Sequence, residues 1–212
     1  MGLSSYGKPR FYDLIINNLI DVKDDGSIRL NMEYFAFTYD NVMINKKFEN
    51  LFGIPVRRED SDIESIHFDI GASAQLVLEE ILLKMVNFVY NKTNKKNLCL
   101  GGGVALNGVA NYRILKEGPF EKIYIPPSPG DAGSAIGCAL NAYYSYFNKQ
   151  RNLENEHSMI SDNVYLGPSY SNVEIKSFLR SGNIQHEVYE RAELLKKVVK
   201  LISEKNVVGW YQ

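Results

Sequence analysis

Between residues 69 and 91 the apolar positions recur with helical spacing. Leu76, Leu83, Val86 and Tyr90 mark one stripe, and Val77, Ile81 and Phe88 widen it, which predicts a long amphipathic helix. A short apolar run over 97–100 then predicts a fully buried strand, and a helical pattern covers 105–116. The alternation repeats, with strand-like residues over 120–125 and a helix over 131–147. Helix, strand, helix, strand, helix in this order indicates an α/β domain with parallel strands, with ligand-facing motifs at the carboxyl ends of the strands. Ala132, Gly133, Ala135, Gly137 and Ala139 suit a last helix lying close against another backbone.

The flanks are less regular. Upstream, the pattern predicts a helix over 11–18, strands over 27–31 and 34–37, and a short helix over 45–52 ended by Gly53 and Pro55. Asp24-Asp25-Gly26 reads as a hairpin turn, and Arg57-Arg58-Glu59-Asp60-Ser61-Asp62 as a solvated link. Downstream, residues 150–157 are polar and poor in apolar side chains, the best boundary in the chain. Beyond it come a strand over 163–166, a helix over 171–181, a strand over 184–189, a helix over 192–204 and a strand over 207–211. Leu194, Leu195, Val198, Val199 and Ile202 keep core spacing in the last helix.

Composition narrows the function classes. The 212 residues suffice for one core, or for one domain and part of another. A formal net charge of −1 gives no electrostatic case for nucleic acid or an anionic membrane. No apolar run approaches the roughly 18–20 residues needed to cross a bilayer. The N-terminus lacks the layout of a secretion signal. The expected location is the cytoplasm, with Cys99 and Cys138 as free buried thiols. Tyr143, Tyr144, Tyr146 and Phe147 cluster at a helix end, where a core or interdomain contact is expected ahead of a base-stacking platform. Lys92, Lys95 and Lys96 read as a solvated turn.

The candidate chemistry lies in two loops. In Leu98-Cys99-Leu100-Gly101-Gly102-Gly103-Val104-Ala105-Leu106-Asn107 an apolar run drops into three glycines and a helix opens. Strand, glycine turn and helix N-terminus make a site for an anion, most often a nucleotide phosphate. A tight turn that binds nothing is the alternative. The spacing fits neither the Walker-type loop nor the GxGxxG fingerprint. The second loop is Pro126-Pro127-Ser128-Pro129-Gly130-Asp131-Ala132-Gly133. Its Asp131 is in the first place an N-cap; a metal ligand or phosphate-side acid is the other reading.

Together the motifs resemble a known family. Gly102-Gly103-Val104-Ala105-Leu106-Asn107, followed by Val109-Ala110-Asn111, resembles the GGVALNxxAN signature of the nodulation-type and antibiotic O-carbamoyltransferases. Gly130-Asp131-Ala132-Gly133-Ser134-Ala135 resembles that family's GDAG[TS]A motif at the expected separation. Gly2-Leu3-Ser4-Ser5-Tyr6-Gly7 is similar to its GLAxYG segment, and Asp69-Ile70-Gly71-Ala72-Ser73-Ala74-Gln75 to its DIAASAQ helix opening. Tyr165-Leu166-Gly167-Pro168 and Val207-Val208-Gly209-Trp210-Tyr211-Gln212 also fit. The order of the motifs is more specific than any one of them.

The resemblance implies an actin-, heat-shock-chaperone- and sugar-kinase-like (ribonuclease H-like) fold. Residues 1–149 would be its second lobe, 150–162 a linker, and 163–212 the start of a C-terminal carbamoyltransferase domain. It implies a chain that is part of a longer protein. The family's HxxxH metal motif would precede Gly2, and His67, His157 and His186 lack that spacing. It implies transfer of a carbamoyl group from carbamoyl phosphate, through a carbamoyl-adenylate made with ATP, to a hydroxyl of a small-molecule acceptor. Gly101, Gly102, Gly103 and Asn107 would cradle the nucleotide. Asp131 would be one ligand of a divalent, iron-like metal, with Mg accompanying ATP. Two other classes share the residue pattern: a phosphotransferase of the acetate- or sugar-kinase type, and a nucleotide-binding module without catalysis.

Overall fold

The computed structural model describes residues 1–150 and 167–211. The chain divides into two compact units, Met1–Asn152 and Leu153–Gln212. Both are mixed or helical in content, and the only sheets among the described residues are two-stranded.

The first unit is organised by its long helix. Its short helices and strands are α1 (Tyr12–Asn18), β1 (Ile20–Val22), β2 (Ile28–Leu30) and α2 (Lys46–Phe52). The long helix is α3 (Ser65–Thr93), followed by β3 (Asn97–Cys99), α4 (Gly108–Glu117), β4 (Lys122–Tyr124) and α5 (Ser134–Asn141). Helix α3 starts four residues before Asp69. There the Glu64 backbone N–H donates to Nδ1 of His67 (2.9 Å) and closes the first turn. One end of α3 carries Val77 and Ile81 into a cluster with Ile15, Leu19 and Phe52. The other end carries Val86 into a second cluster with Ile114 and Phe120, onto which Leu98, Leu100 and Ile123 pack. The predicted apolar stripe therefore serves two cores in series.

The N-terminal segment is locked onto α3 by the residues of two quoted motifs. Asp69, buried at 5% exposure, accepts the Lys8 backbone N–H (2.6 Å) and Nε of Arg10 (2.7 Å). Ser73 Oγ accepts the Phe11 N–H (3.0 Å) and donates to the Asp69 carbonyl (2.6 Å). Gly7 passes so close that an added Cβ would stand 2.1 Å from the Phe68 carbonyl oxygen. Only glycine fits there.

Several expectations are corrected. The hairpin forms around Asp24-Asp25-Gly26, but β1 over Ile20–Val22 is the antiparallel partner of β2. Residues 34–37 are not a strand, because Asn31 Oδ1 accepts the Glu33 N–H (3.2 Å) and starts a 3-10 turn over Met32–Tyr34. A single bridge, Phe35 to Ile44, is all that remains of the pairing. Strands β3 and β4 are parallel, as expected, with Asn97 opposite Lys122 and Cys99 opposite Tyr124. They are not fully buried. Alternation turns Leu98 and Ile123 toward the core and Asn97, Cys99, Lys122 and Tyr124 outward. Both cysteines are free, as expected, but exposed. The segment over 131–147 breaks into a 3-10 turn (Asp131–Gly133), α5 and a π turn (Ala142–Tyr146). Its side chains stay largely exposed, so Tyr143, Tyr146 and Phe147 join no core among the described residues, while Tyr144 is half-buried. Close backbone approach occurs at Gly133, against the Ser128 carbonyl, but not at Gly137.

In the second unit two helices, Asn172–Ser181 and Arg191–Ser203, match their sequence pattern. The first opens on a capping box in which Ser171 and Glu174 bond each other's backbone N–H (3.3 and 2.7 Å). Residues 184–189 and 207–211 are not strands, since no paired chain lies beside them among the described residues. Leu194 and Val198 are half-buried, while Leu195, Val199 and Ile202 are exposed. The expected strand over 163–166, and the linker after Gln150, lie outside the described residues.

Candidate functional site

Parallel pairing of β3 and β4 brings the loops that follow them to one end of the sheet. The Leu100 N–H donates to the Tyr124 carbonyl (2.9 Å), and the Gly102 N–H to the Pro129 carbonyl (2.7 Å). The glycine run and the Asp131 loop, distant in sequence, thereby form one surface. Gly102 has φ +91° and ψ 168°, a conformation open in practice to glycine alone. Apart from the adjoining residues, no atom lies within 4 Å of where a Cβ would stand at Gly101, Gly102 or Gly103. The backbone N–H groups of Gly101, Gly103 and Val104 have no acceptor among the described residues. The loop thus presents unused donors in open surroundings.

The α-helix does not open where the pattern placed it. A 3-10 turn, Gly103–Leu106, intervenes, and α4 starts at Gly108 with Asn107 as its N-cap. Asn107 Oδ1 accepts the Ala110 N–H (3.1 Å), the ordinary bond of an N-cap asparagine. The positive end of the helix dipole therefore lies at Asn107, one turn past the glycines.

Asp131 is no cap. Gly130 and Gly133 occupy the cap positions of the 3-10 turn and of α5, with no side-chain cap bond at either. Asp131 contributes its carbonyl, which accepts Ser134 Oγ (2.6 Å). Its exposed carboxylate has no hydrogen bond or ion pair among the described residues. Those residues contain no cluster of three or more His, Cys, Asp or Glu side chains that could hold a metal. One free carboxylate fits a divalent cation as a single ligand, leaving the other positions to donors from elsewhere.

A polar chain ends on Asn107, and the sequence pattern gave no role to its other members. Gln75, on α3 and 7% exposed, forms a reciprocal amide pair with Asn107. Its Nε2 donates to Asn107 Oδ1 (3.2 Å), and Asn107 Nδ2 donates to Gln75 Oε1 (2.9 Å). Gln75 Nε2 also donates to Glu79 (2.8 Å). Glu79 in turn meets Arg113 of α4 (3.2 Å), and Arg113 meets Glu117 (3.0 Å). The Glu117 hydrogen bond, with Glu79 beside it, holds the Arg113 guanidinium above its ordinary range against the opposing effect of burial. The available signal was spacing: Gln75 and Glu79, like Arg113 and Glu117, stand one helical turn apart.

Two hollows flank α3. A cavity of 510 Å³ is lined by Leu3, Gly71, Ala74, Gln75, Leu78 and Asn107, among others, and Gly101, Gly102, Gly103 and Asp131 are not in its lining. The larger one, 740 Å³, lies between α1, the hairpin and α3 and contains none of the expected site residues. Within it the Tyr12 hydroxyl donates to Glu80. That bond, with burial adding to it, pushes the phenol up to about 12.

No helix among the described residues is long and apolar enough to cross a membrane. The family described as "Carbamoyltransferase N-terminus" matches residues 1–140, which hold both loops and the locked N-terminal segment. The Synechocystis protein sll1178 is 44% identical over the whole chain, which covers 34% of that relative. The nodulation protein NolO of Bradyrhizobium diazoefficiens is 27% identical over the whole chain, covering 36% of it. NolNO of Sinorhizobium fredii is 28% identical over the whole chain, covering 29% of it. The chain thus spans about a third of the length of the curated relatives it matches. With the matched stretch containing every motif of the candidate site, the chain belongs to the carbamoyltransferase family, in its N-terminal part.

Proposed function

We propose that this chain is part of an O-carbamoyltransferase. The carbamoyl group comes from carbamoyl phosphate, passes through a carbamoyl-adenylate made with ATP, and ends on a hydroxyl of a small-molecule acceptor. In this reading residues 1–149 are the second lobe of an actin-like ATPase fold and residues 163–212 begin a further carbamoyltransferase domain. The protein works in the cytoplasm, where ATP is supplied. The observation that supports the reading best is the Gly102 to Pro129 bond of 2.7 Å, which joins the glycine loop to the Asp131 loop at the sheet's end.

A mixed anhydride of carbamate and phosphate needs its negative charge held and its carbonyl activated while a hydroxyl attacks. The free N–H groups of Gly101 and Gly103 suit phosphate oxygens, and Gly102 supplies the turn that aims them. Asn107 adds a side-chain donor. Asp131 would hold one position of a divalent, iron-like metal, whose part is that of a Lewis acid and template; Mg accompanies the ATP.

The test uses the full-length protein with carbamoyl phosphate, ATP and candidate polyol acceptors. Phosphate release that depends on both ATP and acceptor, with a carbamoylated product found by mass spectrometry, is the expected result. Transfer of the ATP γ-phosphate to the acceptor would make the protein a phosphotransferase. Nucleotide binding without turnover of any acceptor would leave a binding module.

A further inference from the structure

A side-chain amide can present either its oxygen or its NH2 group to a neighbour, and a rotation that exchanges them reverses its hydrogen bonding. At Asn107 this choice decides whether the side chain offers a ligand a donor or an acceptor. Phosphate oxygens take only donors. Two partners that cannot change roles fix the choice. At one end the Ala110 backbone N–H, which can only donate, holds Asn107 Oδ1 as the acceptor. At the other end the Glu79 carboxylate, an acceptor when ionised, holds Gln75 Nε2 as the donor (2.8 Å) and is itself anchored by Arg113 (3.2 Å). Between them the reciprocal pair of 3.2 and 2.9 Å is consistent in only this orientation. Asn107 Oδ1 is then occupied twice and Nδ2 once, so the capacity left on Asn107 is one N–H.

We propose that Gln75 is a positioning residue that locks the Asn107 amide with its spare N–H available to a nucleotide phosphate. Gln75 acts through Asn107, with Glu79 and Arg113 setting the orientation from behind. The proposal rests on the nucleotide-binding reading of the glycine loop. It adds that the Asn107 side chain recognises the ligand as a donor, and that its specificity for an anion is set from α3.

A double-mutant cycle in the full-length protein tests it, with ATP affinity read by calorimetric titration. Gln75→Ala is expected to weaken ATP binding roughly three- to tenfold, the scale of one hydrogen bond. In an Asn107→Ala background the same change is expected to have almost no further effect. Equal weakening in both backgrounds overturns the proposal, because Gln75 would then act without Asn107. So does no weakening by Gln75→Ala where Asn107→Ala weakens binding. If Gly103→Ala and Asn107→Ala both leave ATP affinity unchanged in folded protein, the nucleotide-site reading itself fails, and the proposal with it. Gln75→Leu is the second variant, for the case that Gln75→Ala does not fold: it keeps most of the side-chain volume but can neither donate to Asn107 Oδ1 nor accept from Asn107 Nδ2. The same weakening of ATP binding, absent in the Asn107→Ala background, is expected, and unchanged affinity overturns the proposal.

Discussion

At Asp131 the carboxylate is exposed and caps neither the 3-10 turn nor α5, so Asp131→Ala removes nothing that the fold uses. Its expected effect on stability is within about 0.5 kcal/mol, that of a surface change, whereas a lost cap would cost about 0.5–2 kcal/mol. Metal-dependent carbamoyl transfer by the full-length protein should nevertheless be abolished. Thermal midpoint and turnover measured on one preparation separate these outcomes, and normal turnover would remove Asp131 from the site. The glycines call for a different probe. Gly102→Val places a branched side chain at φ +91° and confounds binding with strain of about 1–3 kcal/mol. Gly103 stands in open space without a positive φ. Gly103→Ala should therefore leave the thermal midpoint unchanged or slightly raised while weakening ATP binding. Unchanged affinity would return this loop to a structural turn.

Among the elements, α3 is the one on which the others depend. Its buried Asp69 holds the segment that begins the chain, through the Lys8 backbone N–H first and the Arg10 side chain second, and both bonds keep its carboxyl below the usual carboxylate range. A carboxyl depressed in the folded state contributes stability at pH values above the ordinary, unfolded-state aspartate range. That contribution is lost as pH falls through the lower folded value. Asp69→Asn should accordingly lower the thermal midpoint at pH 7, and the gap from the parent should close as pH falls below about 4. A gap that stays constant across that range would mean that the charge of Asp69 is not what holds Arg10. The presence of α3 and α4 was legible in the sequence because both carry periodic apolar positions. Their starts were not. Glu64 with His67, and Asn107 with Ala110, close the first turns through side-chain bonds that periodicity does not encode. Residues 34–37 failed as a strand for the same local reason, at Asn31.

For the whole molecule, a single carboxylate without imidazole partners leaves most coordination positions of a transition metal to water. The purified 212-residue chain is therefore expected to lose added iron on treatment with a chelator. Elemental analysis that finds a stoichiometric, chelator-resistant metal would place the metal site on other residues. The sequence by itself determined the α/β alternation from α3 to α5, the parallel pairing of β3 and β4, and the family, since these depend on local periodicity and on motif order along the chain; the strands expected over 184–189 and 207–211 did not form. It also marked both loops, because glycine and proline runs interrupt apolar segments wherever they stand. Only the tertiary structure decided what the motif residues do. Asp69, Ser73 and Gly7 turned out to be fastenings between α3 and the N-terminal segment, and Gln75 a partner of Asn107 from 32 positions away. Exposure was likewise beyond the sequence. Cys99 has an apolar neighbour on each side, yet the strand's alternation turns it outward, and apolar character alone does not say which face of a sheet another layer will cover.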